Sequence, residues 1–452
     1  MAGYVLKLLY KEVRNLHEAA YFLGIFAIAS QMLALVRDRL LAGEFGAGEV
    51  LDVYYAAFRI PDLLFVGIAS LVSVYVLIPF LAERLEESYE KAHDYFSRLF
   101  SFFFYLIIGI ASLLWFFLPI FAPLVFSGFS LEQQEEVILL ARILLLQPIL
   151  LGLSNLFASV TQIYRKFLLY AISPVLYNLG IIIGIFLFYP FFGIAGLAWG
   201  VVLGAFFHLV IQLPFIKRQN LLPYLTLSID FSEIKNILRL SIPRTLTLSV
   251  GQLLLFVLIS LASLMSAGSI AVFSFAFNLQ AVPLTIIGAS YSVAAFPTLA
   301  RLVTKGKHEV FVAHIATAAR HIIFWSTPTI VLVIVLRAQI VRVILGVGEF
   351  SWANTRLVAA ALALFVLSLS AHGLMLLLVR AYYAAGDTLK PFLISFVSAL
   401  AGLSSAVLLR SLFLENESFR MFMEELLRVE GIAGSEVLIL PLGYTFGVLL
   451  NA

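Results

Sequence analysis

Ionisable side chains interrupt the apolar segments near the start of the chain, at Arg37, Asp38, Asp52, Arg59 and Asp62. Such a group inside a membrane span costs about 2.5–3.5 kcal/mol on insertion scales, so each is a candidate site residue. On one regular helix, Asp52 and Arg59 would share a face, and Arg59 could pair with Asp62 one turn later. Arg37 and Asp38 are helix neighbours that point about 100° apart and need not pair. Arg59, the deepest of these groups, indicates a polar cavity.

Other ionisable groups have a structural explanation as well as a functional one. Arg244 follows Pro243 near the start of a span, where it could line the cavity or anchor the helix end. Arg39 could line the cavity or extend its side chain to the membrane interface. Asp387 lies in a turn and is expected to cap the next helix. His208, in mid-span, is expected to be a neutral histidine with a hydrogen-bond partner.

The composition is typical of a chain embedded in lipid. Hydrophobic residues make up 62% of the 452 residues and charged residues 12%, and the mean hydropathy is +1.05. A soluble domain carries about 25% charged residues, so this chain has about half the usual charged fraction. That is too little charge to form a water-facing surface. The small net charge of +3, with its basic residues in short connections, argues against nucleic acid as a partner.

The motifs of common enzyme classes are missing from the sequence. It contains no cysteine, no phosphate-binding glycine loop and no HExxH motif, so we expect neither an enzyme nor a bound cofactor or metal. It also has no nucleotide-binding segment. If the chain is a transporter, we therefore expect an ion gradient, the membrane potential or substrate turnover to drive it.

Twelve apolar segments are long enough to cross a bilayer, for which a helix needs about 20 residues. They lie at 17–38, 53–82, 97–125, 136–162, 167–189, 191–215, 237–264, 269–299, 310–337, 355–384, 390–412 and 435–452. We therefore predict an all-α polytopic membrane protein, with the last span cut by the end of the sequence. Basic residues concentrate in alternate connections, beginning with Lys7, Lys11 and Arg14, which predicts a cytoplasmic N-terminus. Arg337 and Arg342, beside and within AQIVRVILGVGEF, are exceptions that predict an amphipathic interfacial segment.

The chain also contains an internal duplication. AAFRIPDLL (56–64) with IPFLAER (78–84) is similar to FAFNLQAVPL (275–284) with SVAAFPTLAR (292–301), and GIAG occurs at 193–196 and 431–434. Six spans in each copy predict two lobes, 1–218 and 219–452, of equal orientation. We expect two six-helix bundles related by a pseudo-twofold axis along the membrane normal.

Segment 32–83, MLALVRDRLLAGEFGAGEVLDVYYAAFRIPDLL…IPFLAE, resembles the MurJ/MviN family of lipid II flippases. This family belongs to the multidrug/oligosaccharidyl-lipid/polysaccharide exporter superfamily. Further similar segments are LSVGQ (248–252), AVPLTIIGASYSVAAFPTLA (281–300) and RAYYAAGDTLKP (380–391). The resemblance covers nearly all of the chain. Family members usually carry fourteen spans, two more than are predicted here.

The resemblance implies a central cationic cavity that binds the pyrophosphate of a lipid-linked precursor. It places Arg37, Asp38, Asp52 and Arg59 in that cavity, and arginine suits the role because it forms bidentate, charge-assisted hydrogen bonds to phosphate. This chain departs from the family pattern, which has arginine or glutamate where it has Gln31, Phe65, Val66, Ser70 and Asn278. The cavity is therefore expected to be less cationic than in the family, and Arg244 is a candidate to compensate.

The resulting hypothesis is a flippase for an undecaprenyl-pyrophosphate-linked cell-wall precursor, lipid II, in a bacterial inner membrane. It would work by alternating access, as a monomer that contacts the lipid-linked substrate and membrane lipid. One alternative is a multidrug extruder of the same superfamily, coupled to sodium or protons. Another is a membrane scaffold for cell-wall synthesis that transports nothing.

Overall fold

The computed structural model describes residues 16–69, 74–229 and 231–452. Lys7, Lys11, Arg14 and Ser70, which entered the predictions above, lie outside these ranges. Within the described ranges the regular structure is helical and no residue is in a strand. The predicted all-α class is confirmed.

The helices of the first half of the chain follow one another through short connections. They are α1 (Leu16–Phe45), α2 (Glu49–Ala57), α3 (Arg59–Leu64), α4 (Val74–Glu87), α5 (Tyr89–Val125), α6 (Leu131–Leu144), α7 (Leu146–Ile163), α8 (Phe167–Ile183), α9 (Tyr189–Phe192), α10 (Ile194–Val210) and α11 (Leu213–Arg218). One π-helical segment, Phe65–Ala69, follows α3, and another, Gly184–Phe188, joins α8 to α9.

The second half of the chain is also built from consecutive helices. They are α12 (Phe231–Ala262), α13 (Ser269–Leu284), α14 (Ser290–Thr304), α15 (His308–Leu345), α16 (Trp352–Val366), α17 (Leu369–Ala384), α18 (Leu389–Glu415), α19 (Glu417–Leu427) and α20 (Ile439–Asn451). A π-helical segment, Thr285–Ala289, joins α13 to α14, and a 3₁₀ turn, Ser435–Leu438, precedes α20. The π-helical segments after α3 and α13 fall at matching places in the two predicted repeats.

Several of these helical segments are long and apolar enough to span a bilayer. Among the described residues there are eight, and α16 with α17, which are bent by 46° relative to each other, give a ninth. Each of the twelve predicted windows contains described helix. The protein is therefore a multi-pass membrane protein, as the composition predicted.

Two local predictions need correction. The window 53–82 is not one regular helix, because Phe58 separates α2 from α3 and the π-helical segment Phe65–Ala69 follows α3. The predicted interfacial segment around Arg342 is not a separate element, because it forms the last turns of α15, which runs without interruption from His308 to Leu345. Its place at the membrane interface stays a prediction. A purely apolar run cannot reveal a π-helical insertion, because the insertion changes the hydrogen-bond pattern and not the polarity.

The described residues form two compact units. One contains the described parts of Met1–Arg37, Ala57–Val125 and Ser130–Ser249, and the other contains Asp38–Ala56, Phe126–Phe129 and Val250–Ala452. Helix α1 contributes residues to both. The predicted division into lobes 1–218 and 219–452 stays a prediction.

Glycines bring one helix pair of the first unit into close contact. A Cβ atom on Gly180 of α8 would lie 2.3 Å from the Cα atom of Gly204 in α10. A Cβ atom on Gly200 would lie 2.5 Å from the Cα atom of Gly184. Small residues favour helix association in membranes because they let two backbones approach closely.

The second unit contains a similar pair, formed by α18 and α20. A Cβ atom on Gly447 would lie 3.1 Å from the Cα atom of Gly402, and one on Gly443 would lie 2.6 Å from the Cβ atom of Ala406. Helix α10 begins within the first GIAG segment, at Ile194, and α20 follows the second. The shared packing supports the internal duplication inferred from the sequence.

Candidate functional site

Arg37 lies near the end of α1 and is held by a polar group on another helix. Its guanidinium donates to the Oδ1 atom of Asn178 in α8, at 3.2 Å. The amide nitrogen of Asn178 donates in turn to the hydroxyl of Ser30, at 3.2 Å, and to the carbonyl of Pro174, at 3.1 Å. This network fixes the direction of a half-buried guanidinium. A preoriented arginine is suited to binding an anion, because less side-chain freedom is lost when the ligand arrives.

Asp38, the next residue of α1, is paired within the other unit. It is only 2% exposed, and its Oδ2 atom accepts a hydrogen bond from the amide of Asn278 in α13, at 3.1 Å. Asn278 is the position at which the family pattern has an arginine. The asparagine keeps a donor to the carboxyl group but brings no positive charge, so it changes the electrostatics here more than the hydrogen bonding.

Asp52 has a structural role that the sequence did not predict. Its side chain is 4% exposed, and its two oxygens accept from the backbone N–H groups of Gly268, at 2.6 Å, and Ala271, at 2.8 Å. These groups belong to the start of α13, so Asp52 caps this helix from a distant part of the chain. Its predicted contact with a substrate stays a prediction.

The glycine at this cap has a conformation that other residues rarely adopt. Gly268 has a φ angle of 88°, and a Cβ atom there would lie 2.2 Å from the backbone oxygen of Ala47. The backbone of α13 can therefore approach the α1–α2 connection closely enough for Asp52 to reach it.

Arg59 and Asp62 both lie in α3, after the break at Phe58. The two residues are three positions apart in this helix, which is the spacing that the predicted pair requires. The shared face predicted for Asp52 and Arg59 assumed one regular helix. Phe58 separates α2 from α3, and the shared face of the two residues stays a prediction.

Arg244 and Arg39 occupy different environments. Arg244 is half-buried inside α12, at the first residue of its apolar portion Arg244–Ala262, and both proposed roles stay open. Arg39 donates to the carbonyls of Val343, at 2.6 Å, and Ile344, at 2.9 Å. These carbonyls end α15, so Arg39 neutralises the negative end of that helix. Its place relative to the membrane interface stays a prediction.

The expectations for His208 and Asp387 agree with the structure. The Nδ1 atom of His208 lies 2.7 Å from the hydroxyl of Ser154, which also accepts from the amide of Gln212, at 2.7 Å. Asp387 accepts from the backbone N–H of Lys390, at 3.1 Å, and thereby caps the start of α18. These contacts explain both residues as structural.

Sequence reasoning did not single out Asn178 and treated Asn278 only as a departure from the family. A polar amide within an apolar span was the available signal for Asn178, which interrupts LYNLGIII. In the described ranges, no group of three or more histidine, aspartate or glutamate side chains could hold a metal ion.

A model of the family described as lipid II flippase MurJ matches residues 41–415. The chain belongs to this family. The match includes Asp52, Arg59, Asp62 and Arg244 but begins just after Asp38, so the assignment of Arg37 and Asp38 depends on their contacts described above.

The chain is also similar to individual members of this family and to solved transporter structures. The lipid II flippase MurJ of Burkholderia cenocepacia is 25% identical over 391 residues, which are 83% of this chain and 75% of that protein. A structure of a lipid II flippase MurJ in an inward closed conformation has 24% identity and a TM-score of 0.75, and the match covers 94% of this chain and 86% of that one. A multidrug resistance MATE family transporter in an inward-facing conformation has 16% identity, a TM-score of 0.71, and coverage of 93% and 92%. At these identities the two structures establish the fold alone.

Proposed function

We propose that this protein is a flippase that moves lipid II, an undecaprenyl-pyrophosphate-linked peptidoglycan precursor, across the inner membrane of a bacterium. The observation that carries the proposal is the match to the lipid II flippase family over residues 41–415. The guanidinium of Arg37, which Asn178 holds in position, also supports the proposal, because an oriented guanidinium is suited to binding a phosphate group. The N-terminus lies in the cytoplasm in this proposal, because the basic residues concentrate in alternate connections.

In the proposed mechanism, Arg37 and Arg59 bind the pyrophosphate by charge-assisted hydrogen bonds. Asn178 holds Arg37 in position, and Asn278 does the same for the carboxyl group of Asp38, which can then meet the sugar or peptide of the headgroup. The headgroup crosses in a polar cavity by alternating access, while the polyprenyl tail stays in lipid. Hydrogen bonds from the arginines replace the hydrogen bonds to water that the pyrophosphate loses when it enters the cavity.

The membrane potential is the proposed source of direction. Moving one elementary charge through 100 mV changes the free energy by about 2.3 kcal/mol. A pyrophosphate diester carries two negative charges, so a potential that is negative inside favours its outward movement by about 4–5 kcal/mol per 100 mV. Ion coupling is the alternative source, and a collapse of the potential at constant ion gradients separates the two.

Competitive binding tests the proposed substrate against the extruder alternative. The purified protein in neutral detergent is titrated with lipid II, with undecaprenol, which lacks the pyrophosphate, and with a lipophilic cation. We expect lipid II to bind in preference to both. Arg37→Gln should weaken lipid II binding by about tenfold to a hundredfold, since hydrogen bonds between charged groups contribute about 1.5–3 kcal/mol.

The control for this experiment is Arg320→Gln, which removes an equal charge from an exposed position of α15. It should bind lipid II as the wild type does. Preferential binding of the cation, or lipid II binding that neither Arg37→Gln nor Arg59→Gln reduces, contradicts the proposal.

A further inference from the structure

A second cationic site lies within the unit that contains α15, α16 and α19. The end of α15, the start of α16 and the end of α19 surround a cavity of about 670 Å³. Its lining includes Arg337, Arg356 and Arg428, together with Trp352 and Leu426. A volume in this range is typical of a small-molecule pocket, for which about 300–1,000 Å³ is usual.

Backbone carbonyls hold two of these arginines in place. Arg337 donates to the carbonyl of Leu427, at 2.9 Å, and Arg356 donates to the carbonyl of Arg428, at 2.7 Å. Each guanidinium has five N–H donors in a fixed fork. The hydrogen bonds found among the described residues use one donor of Arg337 and two of Arg356, so both retain donors for a ligand.

The cavity keeps an excess of positive charge. Glu430 forms an ion pair with Arg356, at 3.1 Å, which offsets one of the three guanidinium charges in this part of the chain. Arg337 and Arg428 line the same cavity. Like charges held close together repel, and an anion placed between them relieves that repulsion. A phosphate group suits such a site because its oxygens match the guanidinium fork.

The surroundings of the cavity are apolar and exposed. Helix α19 is amphipathic, and its Met421, Phe422 and Leu426 side chains are each about 60% exposed. Trp352 at the cavity wall is 57% exposed. An amphipathic helix of this kind lies in the membrane interface with its apolar face in the acyl region, and tryptophan concentrates at the same depth. The charge pattern of the sequence predicts this end of α15 to be on the outer side of the membrane.

We propose that the arginine cavity binds the phosphate headgroup of an anionic membrane phospholipid, whose acyl chains lie along the exposed apolar side chains of α19. The combination decides the occupant, because a soluble anion would use the arginines but not the apolar face beside them. The site does not depend on the flippase function. Its residues lie outside the group proposed to bind lipid II.

The experiment measures lipid binding to the full chain in neutral detergent by native mass spectrometry. The probes are phosphatidylglycerol, phosphatidylcholine and glycerol 3-phosphate, each titrated against the wild type. We expect phosphatidylglycerol to bind at least about tenfold more tightly than the other two. The double variant Arg337→Gln/Arg428→Asn should lower its affinity by about tenfold or more, which is about 1.4 kcal/mol, whereas Arg428→Lys should retain the affinity.

Controls separate loss of the site from loss of the fold. Arg320→Gln removes a charge from the same helix α15 outside the cavity and should leave lipid binding unchanged. Arg428 has a φ angle of 60°, which asparagine tolerates, so Arg428→Asn alone can replace the double variant if the latter unfolds. Unchanged phosphatidylglycerol affinity in a folded variant would overturn the proposal. Equal binding of glycerol 3-phosphate would also overturn it, because it would show an anion site that takes no lipid.

Discussion

Replacing Asp52 by alanine tests whether this residue caps α13. The substitution leaves the backbone N–H groups of Gly268 and Ala271 without their acceptor, in a place where the side chain is 4% exposed. A buried donor without a partner costs about 1–3 kcal/mol. Two such donors are lost, but the variant also avoids the cost of burying a carboxyl group. The net destabilisation is about 3 kcal/mol.

This loss is large enough to measure as a lower melting temperature. For a unit of about 200 residues, 1 kcal/mol corresponds to about 2–4 °C, so Asp52→Ala should melt about 6–12 °C below the wild type. Asp52→Asn keeps one acceptor oxygen and should lose about half as much. The assay is the fraction of protein that stays monodisperse in size-exclusion chromatography after heating in detergent.

The matched control is Glu49→Ala, which removes an exposed acidic group from the first turn of the same helix, α2. It should melt with the wild type. If Asp52→Ala melts with Glu49→Ala, the capping role is refuted. If Asp52→Asn is as stable as the wild type but loses transport, Asp52 acts on the substrate as the family resemblance implied.

Three further predictions concern packing, the site and the pH. Gly180→Ala should destabilise the protein by about 1–3 kcal/mol, because its Cβ atom would overlap α10. Gly109→Ala should stabilise it by about 0.5–1 kcal/mol, because a Cβ atom there has no atom within 4 Å. Equal effects of the two substitutions on the melting temperature contradict this. Asn278→Ala removes a hydrogen bond to a buried carboxyl group and should cost about 1–3 kcal/mol, while Asn278→Asp should cost more through repulsion, and a reversed order in the same heating assay argues against the contact. The side chain of Lys390 hydrogen-bonds to Asp387 and lowers its pKa, so Asp387 stabilises the fold above its unfolded-state pKa and this contribution is lost as the pH falls through the lowered value. The difference in melting temperature between the wild type and Asp387→Asn should therefore disappear in acid, and a difference that persists there excludes the pairing.

The sequence predicted the helices well because lipid imposes a simple requirement. A span must be apolar over about 20 residues, and every backbone group must find its partner within the helix. The predicted spans 310–337 and 390–412 lie within α15 and α18, which have 38 and 27 residues. The π-helical segments were missed, because they change the hydrogen-bond pattern and leave no mark in the polarity.

The candidate site was predicted only as a set of residue types. Arg37 and Asp38 were found because charge is rare in a span, but their partners Asn178 and Asn278 are 141 and 240 residues away in the chain. No local pattern encodes such pairings. The same limit explains Asp52, where the capped backbone is 216 residues away.

Arginine position was also ambiguous from the sequence. A charge near a span end predicts a substrate contact, an interfacial side chain or a helix cap with equal force. Arg39 proved to cap α15, because two terminal carbonyls of that helix lie within 3 Å of its guanidinium nitrogen.

The translocation of labelled lipid II in proteoliposomes tests the proposed function most directly. The wild type is compared with Arg37→Gln and Arg59→Gln, with Arg320→Gln as the control for loss of an exposed charge. The proposal predicts transfer of lipid II between leaflets by the wild type and the control, faster with an inside-negative potential, and its loss in both site variants. A wild-type protein that is folded and reconstituted but moves no lipid II, or moves it as fast in both site variants, contradicts the proposal.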